Sequence, residues 1–374
     1  MSQPLSQTNR RRLLIGAAAL APGALAAPYV RAQTVRRLTM ATTWPRSLPG
    51  LADSVERFTN RVNAMGAGLI ELETFAAGER VGPFDVFDAV SQGDLDLYHG
   101  ADYYWQAQER ALNFFTAVPF GFTADEITGW MHVGGGQALW DEVKARFNLK
   151  SFLSGNTGVQ MGGWYDRPIT SLEDMRGLKI RIPGLAADIF QALGSEPVLL
   201  PAGAIAEALF EGEINAVEWV GPYNDLEFGV QKILNTYMYP GFHEPGTATN
   251  VSINLRVWER LDDQARAIIA AAAHAENKYM LAEYSARSGR ALEQMKLEYG
   301  TQVLRFPDEV YARVAEIVAD TMTGIAEDGD FSGRVVDSFF AYRAQVAPWS
   351  RRTTGRFGLR RDAYQKAALA AAQE

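Results

Sequence analysis

The sequence contains no cysteine, and this absence excludes several kinds of site at once. Disulfide bonds, thiolate nucleophiles and cysteine-bound metals all need a sulfur that the chain does not have. The four histidines are far apart in the sequence and show no paired spacing of the kind that binds zinc on one helix. Neither a dinucleotide-binding nor a P-loop glycine fingerprint occurs. The chain is therefore a poor candidate for a thiol enzyme, a zinc hydrolase or a nucleotide-dependent enzyme.

Lysines and arginines are also fewer than aspartates and glutamates. The formal net charge is −8, and residues 1–32 contain four arginines and no acid, so the rest of the chain carries −12. Such an acidic protein is a poor nucleic-acid binder, because contacts to phosphates need clustered lysines and arginines. A small anion would need a local positive site that works against the net field.

Long apolar runs are absent except near the N-terminus. Three arginines precede the mostly apolar residues 13–27, and small residues follow up to Ala32. This pattern predicts a signal peptide over residues 1–32, too short and too interrupted by proline and glycine to span a bilayer. The stretch Arg10–Leu14 resembles the twin-arginine export motif, with Ile15 where a lysine is usual. An ordinary Sec signal is the alternative, and in either case we expect a soluble, exported mature protein.

Strand-like and helix-like segments alternate over much of the chain. Residues 36–44, 69–75 and 177–184 are typical of strands, and residues 51–65 of an amphipathic helix. This alternation predicts an α/β fold of parallel sheets with crossover helices, and 374 residues suffice for two domains. Residues 262–300 can form one long helix that either runs across both domains or bends near its middle.

An arginine stands at the end of one predicted strand. In the segment "GLKIRIPG", Ile180 and Ile182 share one face of the strand, and Arg181 comes just before a Pro-Gly turn that leads into a helix. Ligands of open α/β sheets bind at the carboxyl ends of strands. A guanidinium group there can bind a carboxylate with two parallel hydrogen bonds, although a structural ion pair is the alternative.

A glutamate has the same placement in the segment "INAVEWVGP". Glu218 follows apolar residues and precedes Trp219 and a Gly-Pro turn. A bound carboxylate ligand at about 4 Å would repel it by roughly 4 kcal/mol at an effective dielectric constant of 20. Either Glu218 is protonated, or a cation lies between the two carboxylates. Gln160 and the main-chain carbonyl of Trp219 are suitable oxygen ligands by type. A strand-end glutamate paired with a surface base is the alternative.

Several separated segments resemble one family of receptors. The segments "MGGWYDRPITSLEDMRGLKIRIPG", "FEGEINAVEWVGPYND", "YPGFHEPG" and "VVDSFFAYRAQVAPW" are similar, in this order, to solute receptors of tripartite ATP-independent periplasmic (TRAP) transporters of the 2-oxoacid-binding type. The resemblance implies a two-lobed, hinged α/β fold of the periplasmic-binding-protein kind, with a long helix that spans both lobes and an extra C-terminal helix. Lobe I would comprise residues 33–157 and 248–290, lobe II residues 158–247 and 300–332, and the C-terminal helix and tail residues 333–374.

The resemblance also implies roles for particular residues. Arg181 would bind the substrate carboxylate, and Asn156, Gln160 and one of Tyr103 and Tyr104, with a slight preference for Tyr103, would contact the substrate. The metal ligands that it implies are Gln160, Glu218 and the carbonyl of Trp219. Glu244, in a loop that crosses between the lobes, is a further candidate ligand by its placement, with a surface acid as the alternative. The Glu-Trp pair favours sodium as the cation, with calcium as the alternative.

These expectations describe a periplasmic receptor and not an enzyme. Its ligand would be a small monocarboxylate, either a 2-oxo acid such as pyruvate or a 2-hydroxy acid such as lactate, and its partners the membrane subunits of a TRAP permease. An exported enzyme acting on the same acids and a binding protein that feeds a sensor are the alternatives. The apolar stripe of the C-terminal helix fits intramolecular packing, and the resemblance adds a homodimer formed by exchange of this helix.

Overall fold

The structure is a computed structural model that describes residues 35–371. The predicted signal peptide, residues 1–32, lies outside the described residues. Within residues 35–371, no helix combines the length and the apolar character that a membrane crossing requires.

The described chain forms strands that belong to two sheets. The strands are β1 (Arg36–Thr42), β2 (Ile70–Phe75), β3 (Leu97–Gly100), β4 (Leu149–Asn156), β5 (Gly163–Tyr165), β6 (Lys179–Arg181), β7 (Glu196–Val198), β8 (Ala216–Val217), β9 (Thr236–Tyr239), β10 (Ala248–Asn254) and β11 (Gln302–Arg305). The first sheet has the strand order β2-β1-β3-β10-β4 and the second the order β11-β9-β5-β8-β6-β7. Each sheet is the centre of one lobe, called here lobe I and lobe II.

Helices cover and connect the two sheets. They are α1 (Leu51–Met65), α2 (Val86–Gln92), α3 (Ala124–His132), α4 (Gly136–Arg146), α5 (Gly184–Ala192), α6 (Ala202–Phe210), α7 (Pro222–Phe228), α8 (Leu255–Arg260), α9 (Asp263–Tyr299), α10 (Asp308–Glu327), α11 (Asp330–Ser350), α12 (Arg356–Arg360) and α13 (Asp362–Ala371). Two 3₁₀ turns, Asp102–Trp105 and Arg110–Phe115, follow β3. The predicted α/β class and the two-lobed architecture are confirmed.

The sheets are mixed, however, and the expectation of parallel pairing holds for only part of each sheet. β10 runs antiparallel to β3 and β4, and β5 runs antiparallel to β8 and β9. Both exceptions are strands that the chain enters from the other lobe. A strand reached in this way needs no crossover helix, so it is free to pair in the antiparallel direction.

Two segments, residues 157–162 and residues 240–247, carry the chain between the lobes and are called here the hinge segments. They bond to each other, since the Thr157 amide donates to the Thr247 carbonyl at 3.0 Å and the Gln160 amide to the Glu244 carbonyl at 3.1 Å. The Gly241 amide in turn donates to the Gln160 carbonyl at 3.0 Å. The paired backbones fix the side chains of both segments relative to each other.

Helix α9 forms the largest connection between the lobes. The Asp262 side chain accepts a hydrogen bond from the Ala265 amide and caps its start, and Gly300, with φ of 69°, ends it. Its 37 residues extend for about 55 Å. Helix α9 packs against β4 and α1 of lobe I and against α7 of lobe II. It is continuous through residues 288–289, so the helix spans both lobes without an interruption there.

Helix α11 packs on lobe I. Phe339 is buried against Phe122 and Phe114, and the Trp130 indole donates to the Ser338 hydroxyl at 3.1 Å. The helix continues past Pro348 to Ser350, because a proline in the last turn removes few helical hydrogen bonds. The N-terminal half of the apolar stripe therefore packs within the chain, and helix exchange between two copies stays a prediction.

Candidate functional site

Arg181 is held at the carboxyl end of β6 by bonds to carbonyl groups. Its neighbours Ile180 and Ile182 are fully buried, and the arginine itself is only 1% exposed. Nε donates to the Leu200 carbonyl at 3.1 Å, and Nη1 donates to the Glu218 carbonyl at 2.9 Å. The guanidinium group also lies 4.8 Å from the centre of the Trp219 ring. These contacts hold a positive charge inside the protein in one orientation.

Glu218 lies beside this arginine because β6 and β8 are parallel neighbours. Arg181 pairs with Val217, and the Glu218 amide donates to the Arg181 carbonyl at 2.9 Å. The carboxylate is fully buried, yet neither of its oxygens has a hydrogen-bond partner among residues 35–371. Arg181 Nη1 is 3.7 Å from one oxygen, and His243 Nε2 is 3.3 Å from the other. Burial raises the pKa of Glu218 well above its ordinary value, and the Arg181 charge opposes this shift only in part.

The hinge segments contribute two more buried side chains. The Gln160 amide nitrogen donates to the hydroxyls of Thr157 and Thr247, each at 3.0 Å, which leaves Gln160 Oε1 without a partner in the described chain. The Glu244 carboxylate accepts a hydrogen bond from the Thr247 hydroxyl. Burial and then the nearby Glu218 charge raise the pKa of Glu244 to about 8. The Thr247 hydroxyl thus orients both the Gln160 amide and the Glu244 carboxylate towards the site.

These groups together form a candidate cation site. One atom each from Glu218, His243 and Glu244 lie within 4.8 Å of one another, and all three side chains are buried. A buried oxygen that has no hydrogen-bond donor or cation beside it lowers the stability of the fold. Carboxylate, amide and main-chain oxygens are the ligands that hard cations such as Na⁺ and Ca²⁺ prefer. The donor set therefore fits such a cation, and Glu218, Gln160 and Glu244 are the side chains that could hold it.

Lobe I closes over this arrangement with apolar and aromatic side chains. A void of about 10 Å³ lies between the lobes, room for roughly one water molecule. Its lining includes Gln160, Trp219, Tyr103 and Tyr104, together with Trp44, Leu51, Ala101, Thr157, Val220, Thr247 and Thr249. Burial raises the pKa of Tyr104 to about 12, against the opposing charge of Arg181, so both tyrosines stay neutral. The lobes are closed on this void, so any ligand larger than a water molecule requires them to move apart.

Local packing explains why Leu51 reaches this void. It begins α1, whose apolar residues Leu51, Val55, Phe58 and Val62 recur at helical spacing and are all buried. Each buried side chain of this kind stabilises the fold by roughly 2 kcal/mol. The interface that they form fixes the first turn of α1 at the carboxyl edge of the first sheet, where Leu51 lines the void.

The structure brings together most of the residues singled out in the sequence. Arg181, Glu218 and Trp219 adjoin one another, Gln160 and Glu244 join them from the hinge segments, and Tyr103 and Tyr104 form the opposite wall. Asn156 differs. Its amide donates to the Gly246 carbonyl at 3.0 Å and its oxygen accepts from the Gly158 amide at 2.8 Å. These bonds give Asn156 a structural role at the hinge and leave its predicted substrate contact unsupported.

Sequence reasoning missed two groups of residues. The sequence alone favours a structural role for His243, but neither ring nitrogen is hydrogen-bonded within the described chain, and the ring faces Glu218. Its position next to Glu244 was the available signal. Trp44 and Leu51 were not considered as site residues, although Trp44 lies just after the carboxyl end of β1 and Arg181 lies at that of β6. The rule for strand ends would have found it.

Known proteins with the same fold and related sequences exist. A monocarboxylate 2-oxoacid-binding periplasmic protein of Nostoc is 38% identical over 315 residues, 84% of this chain and 86% of the relative. A TRAP transporter solute-binding protein of Bordetella bronchiseptica is 32% identical, with a TM-score of 0.86 and coverage of 91% of this chain and 100% of that one. That protein formed a mixed-occupancy dimer with copurified calcium and picolinate.

A second solved structure is of a TRAP periplasmic solute-binding protein of Pseudoalteromonas atlantica with bound sodium and pyruvate. It is 31% identical, covers 87% of this chain and 98% of its own, and has a TM-score of 0.84. The family model for bacterial extracellular solute-binding proteins, family 7, matches residues 40–328. These relatives are transport receptors and not enzymes, which removes the enzyme alternative. The chain belongs to the bacterial extracellular solute-binding proteins of family 7, the solute receptors of TRAP transporters.

Proposed function

We propose that this receptor binds a small 2-oxo or 2-hydroxy monocarboxylate, such as pyruvate or lactate, through Arg181 and a bridging cation. One observation carries the proposal. The buried oxygens of Glu218 and Gln160 have no partner among residues 35–371, and they lie where a guanidinium group and a carboxylate ligand would meet. A ligand that brings both a carboxylate and a keto or hydroxyl oxygen, together with a cation, would pair all of these groups.

Arg181 would bind the ligand carboxylate through its two terminal nitrogens, Nη1 and Nη2. Its Nε and one Nη1 hydrogen already bond to carbonyls, so each terminal nitrogen keeps a hydrogen for the ligand. Paired bonds of this kind are short and strong inside a protein. The cation would then bridge the ligand to Glu218, Gln160, the Trp219 carbonyl and, from the hinge, Glu244.

The net charge of the site depends on whether Glu244 is protonated, and this net charge affects which cation the site would bind. With Glu244 protonated, Arg181, Glu218 and a ligand carboxylate sum to one negative charge, which a sodium ion neutralises. With Glu244 ionised the sum is two negative charges, which suits calcium. Sodium is the first candidate because the Glu-Trp pair brings one carboxylate to the cation, with calcium as the alternative. The relatives with bound calcium and with bound sodium are consistent with both ions as candidates.

The receptor would be exported by the twin-arginine route and would deliver its ligand to the membrane subunits of a TRAP permease for secondary active uptake. Delivery to a sensor is the alternative. A homodimer formed through the C-terminal helix agrees with the dimer of the Bordetella relative, but helix α11 packs on lobe I of its own chain.

The ligand assignment is tested by titration of the mature protein. Pyruvate and lactate are added with sodium, with calcium, or with potassium after chelation, and the melting temperature and tryptophan fluorescence are followed. At a hundred times Kd, a true ligand stabilises the protein by about 2.7 kcal/mol. We expect this stabilisation for a 2-oxo or 2-hydroxy acid and a stronger effect with one of the two ions.

Propionate is the matched control ligand, because it has the carboxylate but no oxygen on the second carbon. Propionate binding as tight as that of pyruvate would contradict the bridging cation. If no small carboxylate bound under any ion condition, the proposed ligand class would be wrong.

A further inference from the structure

One residue borders both the void between the lobes and a second cavity beside it. The second cavity, called here the outer cleft, has a volume of about 390 Å³ and lies between the carboxyl ends of β1 and β2 and helix α1. Trp44 lines both spaces. At the start of α1, Leu51 faces the void and Ala52 faces the outer cleft. Trp44 and this first helical turn thus separate a space for one water molecule from a much larger one.

The Trp44 indole is fixed in this position. Its Nε1 donates to His99 Nδ1 at 3.0 Å, and His99 Nε2 lies 3.5 Å from the Ser154 carbonyl. The indole also contacts the Tyr104 ring edge-on, with ring centres 6.0 Å apart. Burial lowers the pKa of His99 to about 4, so the ring stays neutral and keeps Nδ1 as an acceptor near neutral pH. Trp44 is 3% exposed and has little freedom to move aside.

The void has a polar and an apolar side. Gln160, Thr157 and Thr247 lie next to the candidate cation site, whereas Trp44 and Leu51 of lobe I lie on the apolar side. A carboxylate and keto group directed at the polar side would leave the remaining carbons of an acid facing the indole.

We propose that Trp44, positioned by His99, sets the length of the acid that this receptor accepts by closing the void off from the outer cleft. The inference rests on the proposed function, since it concerns the carbon tail of the same ligand. A two- or three-carbon acid ends before the indole. A longer chain either displaces the indole or is excluded, and a smaller residue in place of Trp44 lets the chain extend into the outer cleft along Ala52 and Val55.

The test compares pyruvate with 2-oxohexanoate in the wild-type protein and in Trp44→Leu, by calorimetric titration of the mature chain with the preferred ion present. The wild-type protein should bind 2-oxohexanoate at least about tenfold more weakly than pyruvate. Trp44→Leu should shift the ratio of the two dissociation constants by about tenfold, about 1.4 kcal/mol, in favour of the longer acid. Trp44→Phe retains a ring against Tyr104 and should give a smaller shift in the same direction, and it serves if the leucine variant does not fold.

Trp258→Leu is the matched control. Trp258 lies in α8 of the same lobe, packs on Phe152 and borders neither cavity, so its loss should leave the ratio unchanged. If the wild-type protein binds pyruvate but both Trp44 variants keep the wild-type ratio, the length-setting role is wrong while the proposed function stands. If the wild-type protein binds neither acid, the proposed function and this inference both fail.

Discussion

Lobe I and the ligand site each contain a pair of opposite charges that is completely buried, and the two pairs differ in how well they are hydrogen-bonded. In lobe I, Lys144 Nζ donates to Asp102 Oδ1 and to the Tyr98 hydroxyl, both at 2.7 Å, and the Trp140 indole donates to Asp102 Oδ2 at 2.7 Å. In the ligand site, Glu218 is 3.7 Å from Arg181 Nη1 and accepts no hydrogen bond from residues 35–371.

The difference separates a structural pair from the pair that we propose for ligand binding. A buried charge is tolerated where hydrogen bonds within the protein replace the hydrogen bonds to water. The Asp102–Lys144 pair has such bonds within the chain. It also anchors the 3₁₀ turn that presents Tyr103 and Tyr104 to the void. The Glu218 carboxylate lacks hydrogen-bond partners among residues 35–371, which supports the proposal that a ligand and a cation pair with it. Burial alone would not have distinguished the two.

The largest expected effect comes from breaking the structural pair. Lys144→Met leaves Asp102 buried without its cation, and such changes cost about 3–5 kcal/mol of unfolding free energy. Urea denaturation followed by circular dichroism measures this loss. The double variant Lys144→Met/Asp102→Leu should recover part of the loss, because it leaves neither charge buried, although the Trp140 indole loses its acceptor. A double variant as unstable as the single one would show that the pair does more than balance charge.

A pH effect of about 3 kcal/mol on stability is expected from His99, a buried histidine of lobe I. His99 has partners on both nitrogens, and burial lowers its pKa from 6.5 to about 4 in the folded protein. Below pH 6.5 the unfolded chain therefore binds the proton more readily, so the wild-type protein loses stability as the pH falls towards 4. The shift corresponds to about 3 kcal/mol at 1.36 kcal/mol per pKa unit.

His99→Gln has no such proton, so the difference in unfolding free energy between wild type and variant should change by this amount between pH 7 and pH 4. Urea titrations at both pH values measure it. A constant difference across this range would mean that His99 does not titrate differently in the folded state.

The next effect concerns the ligand anchor. Arg181→Lys keeps the charge but removes the planar fork, so the variant loses paired hydrogen bonds to the carboxylate. We expect pyruvate affinity to fall by roughly tenfold to a hundredfold, about 1.5–3 kcal/mol, as measured by calorimetry. Arg305→Lys, an exposed position on β11 of the same sheet, should have no effect. Equal affinities of the Arg181→Lys and wild-type proteins would argue against Arg181 as the anchor.

The smallest expected effect is on the unliganded protein. Glu218→Gln removes a buried carboxylate that has no hydrogen-bond partner in the described chain, so its stability without ligand should stay within about 1 kcal/mol of the wild type, or rise. The same variant should lose the stabilisation that sodium or calcium adds together with pyruvate. A thermal shift that still depends on the ion would remove Glu218 from the set of cation ligands.

Sequence reasoning reached the parts of the site that depend on local pattern. Arg181 and Glu218 were predictable because each lies at the end of a strand and precedes a turn, and the ends of neighbouring strands meet at one edge. The contribution of the hinge was not predictable in this way. Gln160 and Glu244 are 84 positions apart, and their meeting depends on hydrogen bonds between two irregular segments. Antiparallel β5 and β10 escaped prediction for the same reason, since strand direction follows from the path of the chain between lobes.

The pairing of the hinge segments has a consequence for the order of events during binding. Arg181, Glu218 and Trp219 belong to lobe II, and Gln160 and Glu244 to the hinge, so every candidate anchor and cation ligand lies on one side of the opening. Lobe I supplies the cover, which includes Tyr103 and Tyr104. We therefore expect the open receptor to capture ion and acid on an already assembled surface, in a fast step that depends on ionic strength. Closure would follow as a separate, slower step whose rate does not change with ligand concentration. Stopped-flow fluorescence would resolve the two, and a single phase limited by ligand concentration would argue for simultaneous assembly by both lobes.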